Sequence, residues 1–345
     1  MEAASTTRLP VARVRTLALR TGVGLCAGAL LLVMFLRLTD VHAVVARLQH
    51  IGTGYALLCG VPFLGAYVVR ALRWRLFLAP YNVGVGTAIG IYQVATFVNW
   101  LLPIRGGEIV KCMLLRRSNG IPVSRSLATV GMDKAMDLMP AVVLLALLPF
   151  AGLHLDRMLW VLLLSALTAV ALVVILLALA AWRPQLAESV VTRPLVKVLP
   201  PAAGHRLGPF IAQFMETLLA LVRQPGLMAR AAAYTALAVV LDALFCLLAF
   251  KAVGVSISLP VVLFGYTFFN LAFILPTPPG QVGSNELVGL LLFSGVLGVD
   301  KSGVGAMFLF SHPWTAVLMA SSALLCVSMM GLSLGRALRL TGDRR

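Results

Sequence analysis

The sequence predicts an all-α polytopic membrane protein of about six full transmembrane helices plus two re-entrant helical hairpins. Three observations predict it. Of 345 residues, 60% are hydrophobic and 12% charged, against roughly 25% charged in a soluble domain. Apolar runs near 20 residues recur along the whole chain, the length a helix needs to cross hydrocarbon. No series of short alternating segments appears, which excludes a transmembrane β-barrel. The same composition excludes intrinsic disorder, a coiled coil and a soluble single-core protein.

The first run, Ala18–Leu38, follows Arg8, Arg13 and Arg15. From Thr21 to Leu38 it is too long for a signal h-region and lacks a small-residue cleavage site, so it reads as an uncleaved first span. Further full spans are expected at Thr53–Leu72, Ser124–Ala151, Met158–Ala181, Ala229–Val253 and Val304–Leu334. Two apolar regions, Val85–Leu115 and Leu259–Leu297, are interrupted by Pro and Gly. Broken backbone in hydrocarbon leaves amides unpaired at several kcal/mol each, unless it is buried in protein or lines a wet cavity. Both regions are therefore expected to be hairpins that enter and leave on one side; the competing form is an ordinary helix pair kinked at proline. The stretch 182–228 carries six prolines, and its segment Phe210–Val222 has the pattern of an amphipathic helix on the cytoplasmic surface.

The net charge is +16. In a membrane protein the positive-inside rule accounts for this without nucleic acid. Starting inside, the count of spans puts Arg70, Arg73 and Arg75 at a cytoplasmic edge, followed by Arg116, Arg117 and Arg125, then the basic residues of 182–228. The tail 335–345 is cytoplasmic, like the basic segment 1–17. The integral domain is 18–334, in the cytoplasmic (inner) membrane. Basic edges also attract anionic lipid headgroups. The five cysteines are isolated, with no Cys/His cluster, so they read as packing residues. No cofactor is expected.

The interrupted regions resemble each other. Asn99 is followed by Leu102-Pro103, glycines and Glu108; Asn270 is followed by Leu275-Pro276, Gly280, Gly283 and Glu286. Twenty-five positions after each glutamate stand Asp133-Lys134 and Ser311-His312. Three crossings separate the hairpins, so the repeat is inverted and its interface is where transporters of this layout bind substrate.

Charges in apolar spans are costly and usually functional. They are Arg105, Glu108, Lys111, Asp133, Lys134, Asp137, Asp242 and Glu286. Asp133 and Asp137 share a helix face, and Glu108 and Lys111 are spaced to pair. A half-helix starting after Gly106-Gly107 offers free N–H groups to an anion, with Arg105 and Lys111 adding charge. The competing reading is that these charges only pair with one another and fix the packing, and that His312 is a satisfied packing group rather than a ligand or proton relay. Asp133 and Asp137 also fit a Mg²⁺-dependent intramembrane prenyl or phospho-group transferase, which normally needs a second acidic cluster.

The run from Asn99 to Lys111, Asn-Trp-Leu-Leu-Pro-Ile-Arg-Gly-Gly-Glu-Ile-Val-Lys, resembles the first signature of the lysylphosphatidylglycerol synthase transmembrane region, or flippase-like domain. Ser126–Asp137 resembles the next, with Asp133-Lys134 where the family usually has Glu-Arg. Pro276–Glu286 resembles a Pro-Gly-Gly-x-Gly-x-x-Glu pattern, with Gln281 in place of the second glycine. His312 stands where a longer basic side chain is expected. The resemblance implies the translocation half of such proteins, without the soluble aminoacyl-transferase domain, and a phospholipid, polyprenyl-phosphate-linked or hopanoid lipid as substrate. The expected activity is then flipping or scrambling of an anionic or phosphate-bearing lipid, not covalent chemistry. Arg105, Lys111 and Lys134 would hold phosphate, with Glu108, Asp137 and Glu286 balancing it. Partners weighed are membrane lipids, lipid-synthesis enzymes and a second copy of the chain.

Overall fold

A computed structural model describes residues 11–102, 106–147, 201–272 and 277–330, with a few positions between 161 and 168. Every element among the described residues is helical. In chain order these are α1 (Val11–Leu38), α2 (Val41–Gln49), α3 (Thr53–Leu58), α4 (Gly60–Phe77), α5 (Val85–Leu101), α6 (Gly107–Asn119) and α7 (Val123–Leu147). Then come α8 (Pro201–Val222), α9 (Pro225–Ala252), α10 (Leu259–Ala272), a 3₁₀ turn (Pro279–Gln281), α11 (Ser284–Gly289), a π-helical stretch (Leu290–Val296) and α12 (Lys301–Met329).

Three stretches among the described residues are long and apolar enough to cross a membrane: Thr53–Phe77, Pro225–Ala252 and Lys301–Met329. The count reaches four if Gly22–Leu38 and Val41–Gln49, which meet at 92°, form one bent span. The bend follows from Asp40, whose carboxylate accepts the N–H groups of His42 and Ala43 and starts a new helix. Of the expected spans, Thr53–Leu72, Ala229–Val253 and the described part of Val304–Leu334 overlap these three stretches. Ser124–Ala151 corresponds to α7, which is interrupted by charge. Met158–Ala181 lies outside the described residues, apart from isolated positions.

Both interrupted regions are broken helix pairs that fold back on themselves. In the first, the start of α6 lies against α5 so closely that a Cβ on Gly107 would come within 2.0 Å of the Ala95 carbonyl oxygen. Only glycine fits there, and its N–H donates to Asn99 Oδ1 at 2.7 Å. In the second, Phe293 packs on Gly265 of α10. The turn holds Gly280 at φ 62° and Gly283 at φ 75°. Between them Gln281, at φ 56°, is the one non-glycine residue with positive φ among the described residues. The glycine that Gln281 replaces in the motif is thus one the backbone conformation calls for.

The main apolar core joins α4, α9, the second broken pair and α12, with Phe245, Phe250, Phe293 and Phe308 at its centre. A second cluster around Trp74, Ile91 and Leu115 ties α4 to the first broken pair. The amphipathic helix expected at Phe210–Val222 is the latter part of α8. It buries Leu219 and Leu221 and hydrogen-bonds α7 through Ser124 and Gln213.

Candidate functional site

The two helix breaks meet. Trp100, at the end of α5, lies edge-on to the His312 ring at 6.3 Å and 81°, and faces Gly280 in the second turn. Beside this contact opens a cavity of about 430 Å³, lined from α4, α5, α6, α7, α9, α10 and α12.

One wall is an ion-pair network. Four basic side chains, Arg70, Arg73, Lys111 and Lys134, face four carboxylates, Glu108, Asp133, Asp137 and Asp242. Arg73 is at its root with 1% of its side chain exposed. Its guanidinium donates to Asp133 Oδ1, the Asp133 carbonyl, Asp137 Oδ1 and Thr235 Oγ1 at 2.6–3.0 Å. Asp133 and Asp137 share a helix face, and one guanidinium nitrogen bridges both. A buried ion survives only when paired, and this fork pairs Arg73 with both carboxylates, while Asp133 Oδ2 accepts no hydrogen bond among the described residues. Arg70 pairs with Asp242 through both guanidinium nitrogens.

Lys111 is almost fully buried. Its Nζ lies 3.8 Å from the centre of the Tyr92 ring, 3.4 Å from Glu108 Oε2 and 3.7 Å from Asp133 Oδ2. It stabilises the network from behind by charge and by cation–π attraction. Lys134 differs: its side chain is 42% exposed, and it reaches Glu108 Oε1 at 3.3 Å and Asp137 Oδ2 at 3.5 Å. Asn99 completes this wall by donating to Glu108 Oε1 at 3.1 Å.

The opposite wall is the second turn. His312 is 7% exposed. Its Nδ1 lies 2.5 Å from Glu286 Oε1, and its Nε2 lies 2.8 Å from the Gly280 carbonyl oxygen. Glu286 Oε2 accepts the Gly283 N–H at 2.8 Å, closing the first turn of α11. Asn270 is exposed and lines the cavity, as do Thr277 and Gln281.

The expected residues thus divide. Asn99, Glu108, Lys111, Lys134, Asp137, Asn270 and His312 line one cavity. Asp133, Gly107, Gly280, Gly283 and Glu286 stand behind it as supports. Arg105 lies outside the described residues. The charges pair with one another, and the pairs face an open space. The sequence reasoning missed Arg70 and Arg73, assigned to a cytoplasmic edge and found inside the network. The signal was their spacing of three, which sets both on one face of α4, together with unmatched acids at Asp133, Asp137 and Asp242. Asp133 and Asp137 have their inner oxygens taken by Arg73. Among the described residues no group of three or more His, Cys, Asp or Glu side chains is placed to hold a metal ion.

Comparison with known proteins gives the chain its relatives. It is 28% identical over 301 residues to the UPF0104 membrane protein PH1989 of Pyrococcus horikoshii, covering 80% of this chain and 87% of that one. It is 25% identical over 326 residues to a protein named Glycosyltransferase AglD from Haloferax volcanii, covering 84% of this chain but only 52%, about half, of AglD. No solved structure matches. The family model described as the lysylphosphatidylglycerol synthase TM region matches residues 18–337, most of the chain, and the chain belongs to that family.

Proposed function

We propose that this protein moves a phosphate-bearing lipid between leaflets of the membrane it spans. The observation that carries the reading is the charged cavity at the meeting point of two helix breaks. A charged headgroup cannot enter hydrocarbon unaided, because burying it unpaired costs many kcal/mol. A cavity walled by lysine and arginine offers it a substitute for water, while the apolar tail stays in lipid. In this reading the two broken pairs are re-entrant hairpins, related by an inverted repeat and entering from opposite faces, with both termini cytoplasmic.

Lys134 and Arg70 are the cations that meet the phosphate. Lys134 is the most exposed base of the network, and its partners Glu108 and Asp137 release it when a stronger anion arrives. Lys111, held under Glu108, keeps that carboxylate in place when Lys134 leaves. The balance of charge suits exchange: the headgroup replaces one carboxylate partner of a lysine rather than adding an unmatched charge.

The test is translocation in vesicles of phosphatidylglycerol and phosphatidylethanolamine carrying a headgroup-labelled phospholipid. Losing one charge-assisted contact of about 1.5–3 kcal/mol slows transfer about tenfold to a hundredfold. Lys134→Gln is expected to do so, and Lys134→Arg to retain most of the rate. Equal rates for wild type and Lys134→Gln would remove the site from the proposal.

The transferase reading draws on the name of AglD. It requires Asp133 and Asp137 to turn from Arg73 to a divalent cation. Product formation from a polyprenyl-phosphate donor, abolished by chelation, would favour it.

A further inference from the structure

The hydrogen bonds around His312 fix a count of protons. A peptide carbonyl can only accept, so Nε2, at 2.8 Å from the Gly280 oxygen, carries a hydrogen. On the other side, Nδ1 meets Glu286 Oε1. A bond there needs one more hydrogen, on the imidazole or on the carboxyl. With neither, a lone pair faces a carboxylate oxygen, and the contact becomes repulsive. The pair therefore holds one proton beyond a neutral imidazole and a carboxylate. The other Glu286 oxygen is occupied by the Gly283 N–H.

These bonds join two elements. Gly280 and Gly283 belong to the turn of the second broken pair, and His312 belongs to α12. Removing the proton leaves two outcomes. The imidazole keeps its hydrogen on Nε2 and is repelled by Glu286, or it moves it to Nδ1 and loses Gly280. Either way one of the two ties between turn and α12 is cut.

Among the described residues no other charged group makes this bond for them. From α4 the cavity receives Tyr67, Arg70 and Arg73, from α5 Tyr92, and from α6 Glu108 and Lys111. Lys134 and Asp137 come from α7, Asp242 from α9 and Tyr266 from α10. The acids and bases among these are matched within their own network. On the far side α1 presents Gly28, Leu31 and Leu32 to Gly283. Trp100, at the edge of the His312 ring, is a reporter in contact with it.

We propose that Glu286 and His312 together bind a single proton, that this proton latches the second turn to α12, and that it is the ion coupled to headgroup movement. The last clause rests on the transport reading above; the proton site does not. Binding is a plain proton transfer from water to the pair, and release returns it to water. Opening the latch frees the Gly280–Gly283 turn beside the cavity.

Glu286→Gln separates the claims, because its amide imitates the protonated acid. The oxygen still accepts from Gly283, and the NH₂ donates to Nδ1, so the variant folds and stays latched. The first measurement is Trp100 emission of the purified full chain, taken as wild type minus Trp100→Phe, from about pH 5 to about pH 9. Wild type should show one step with a one-proton slope. Glu286→Gln should give a flat profile at the protonated level, and His312→Gln should lose the step. A flat wild-type profile, or a step that survives in Glu286→Gln, overturns the site. The second measurement places wild type in the same vesicles with a pH dye inside and an imposed pH gradient. Lipid movement accelerated by the gradient, with proton flux lost in Glu286→Gln, supports coupling. Lipid movement indifferent to the gradient overturns coupling and leaves transport standing. No lipid movement, with the Trp100 step intact, overturns transport and keeps the proton site.

Discussion

Replacing Arg73 by methionine should be among the most damaging single changes in this chain. The side chain is 1% exposed and makes five contacts within 3.0 Å, three of them to Asp133 and one to Asp137. Methionine fills similar volume without charge, so the loss is electrostatic rather than a cavity. Among the described residues Asp133, 0% exposed, would keep only Lys111 at 3.7 Å. Stranding one member of a buried ion pair costs about 3–5 kcal/mol. Removing both charges costs much less, because no ion is left unpaired. Arg73→Met/Asp133→Leu is therefore expected to recover at least about 2 kcal/mol of the sum of the single losses. The assay is equilibrium unfolding in mixed micelles with the full double-mutant cycle, Arg73→Met, Asp133→Leu and the pair. Additive losses, with no recovery in the double variant, would refute the view that these two residues form one electrostatic unit.

Other outcomes follow from single contacts. Gly107→Ala drives a methyl into the Ala95 carbonyl and parts Asn99 from α6; a lowered melting temperature and loss of translocation are expected, measured together on purified protein. Gln281→Gly relieves a side chain held at φ 56° and should raise stability by about 1 kcal/mol, read by the same unfolding assay. Asp300 caps α12, accepting from the Gly303 N–H at 2.8 Å and the Ser302 hydroxyl at 2.6 Å. Asp300→Ala should cost about 1 kcal/mol. The Ser302 hydroxyl above all, then the Gly303 N–H and Arg47, hold the Asp300 carboxyl below its ordinary value. A depressed value means that its contribution is complete above the unfolded-chain pKa near 3.9 and fades as acid titrates it. Wild type and Asp300→Ala should therefore converge in stability on acidification.

Much of the site was legible because its residues are unusual for their surroundings. An acid or base in an apolar run is visible without a structure, and so is a helix broken by Pro and Gly. Glu108 and Lys111, three apart, do meet. What the sequence did not disclose was rotational phase. Arg73 and Arg75 are two residues apart, which turns them about 200° from each other around α4. Arg73 points into the network, while Arg75 points away and donates to the Val83 carbonyl at 2.7 Å. Counting arginines near a span end treats both alike. Phase is set by distant packing, here α9 against α4, where Leu241 lies over Gly65 and Arg70 finds Asp242. The helix after the 92° bend went unread for a different reason: Val41–Gln49 is short and carries His42, Arg47 and Gln49, so it does not stand out as an apolar run.

The elements around the second turn close into a ring. Gly24 and Gly28 of α1 rest on Pro278, Pro279 and Val282. α1 turns sharply into α2, whose Val44 packs on Gly305 of α12 and whose Arg47 pairs with Asp300 at 3.1 Å. α12 returns through His312 to Gly280. A closed linkage of stiff rods has few independent motions: rocking α1 swings α2, α2 drags the head of α12, and α12 pulls on the same turn from the other side. A pull on any one bar is therefore felt at every joint, which makes the far end of α2 a handle for the membrane interior.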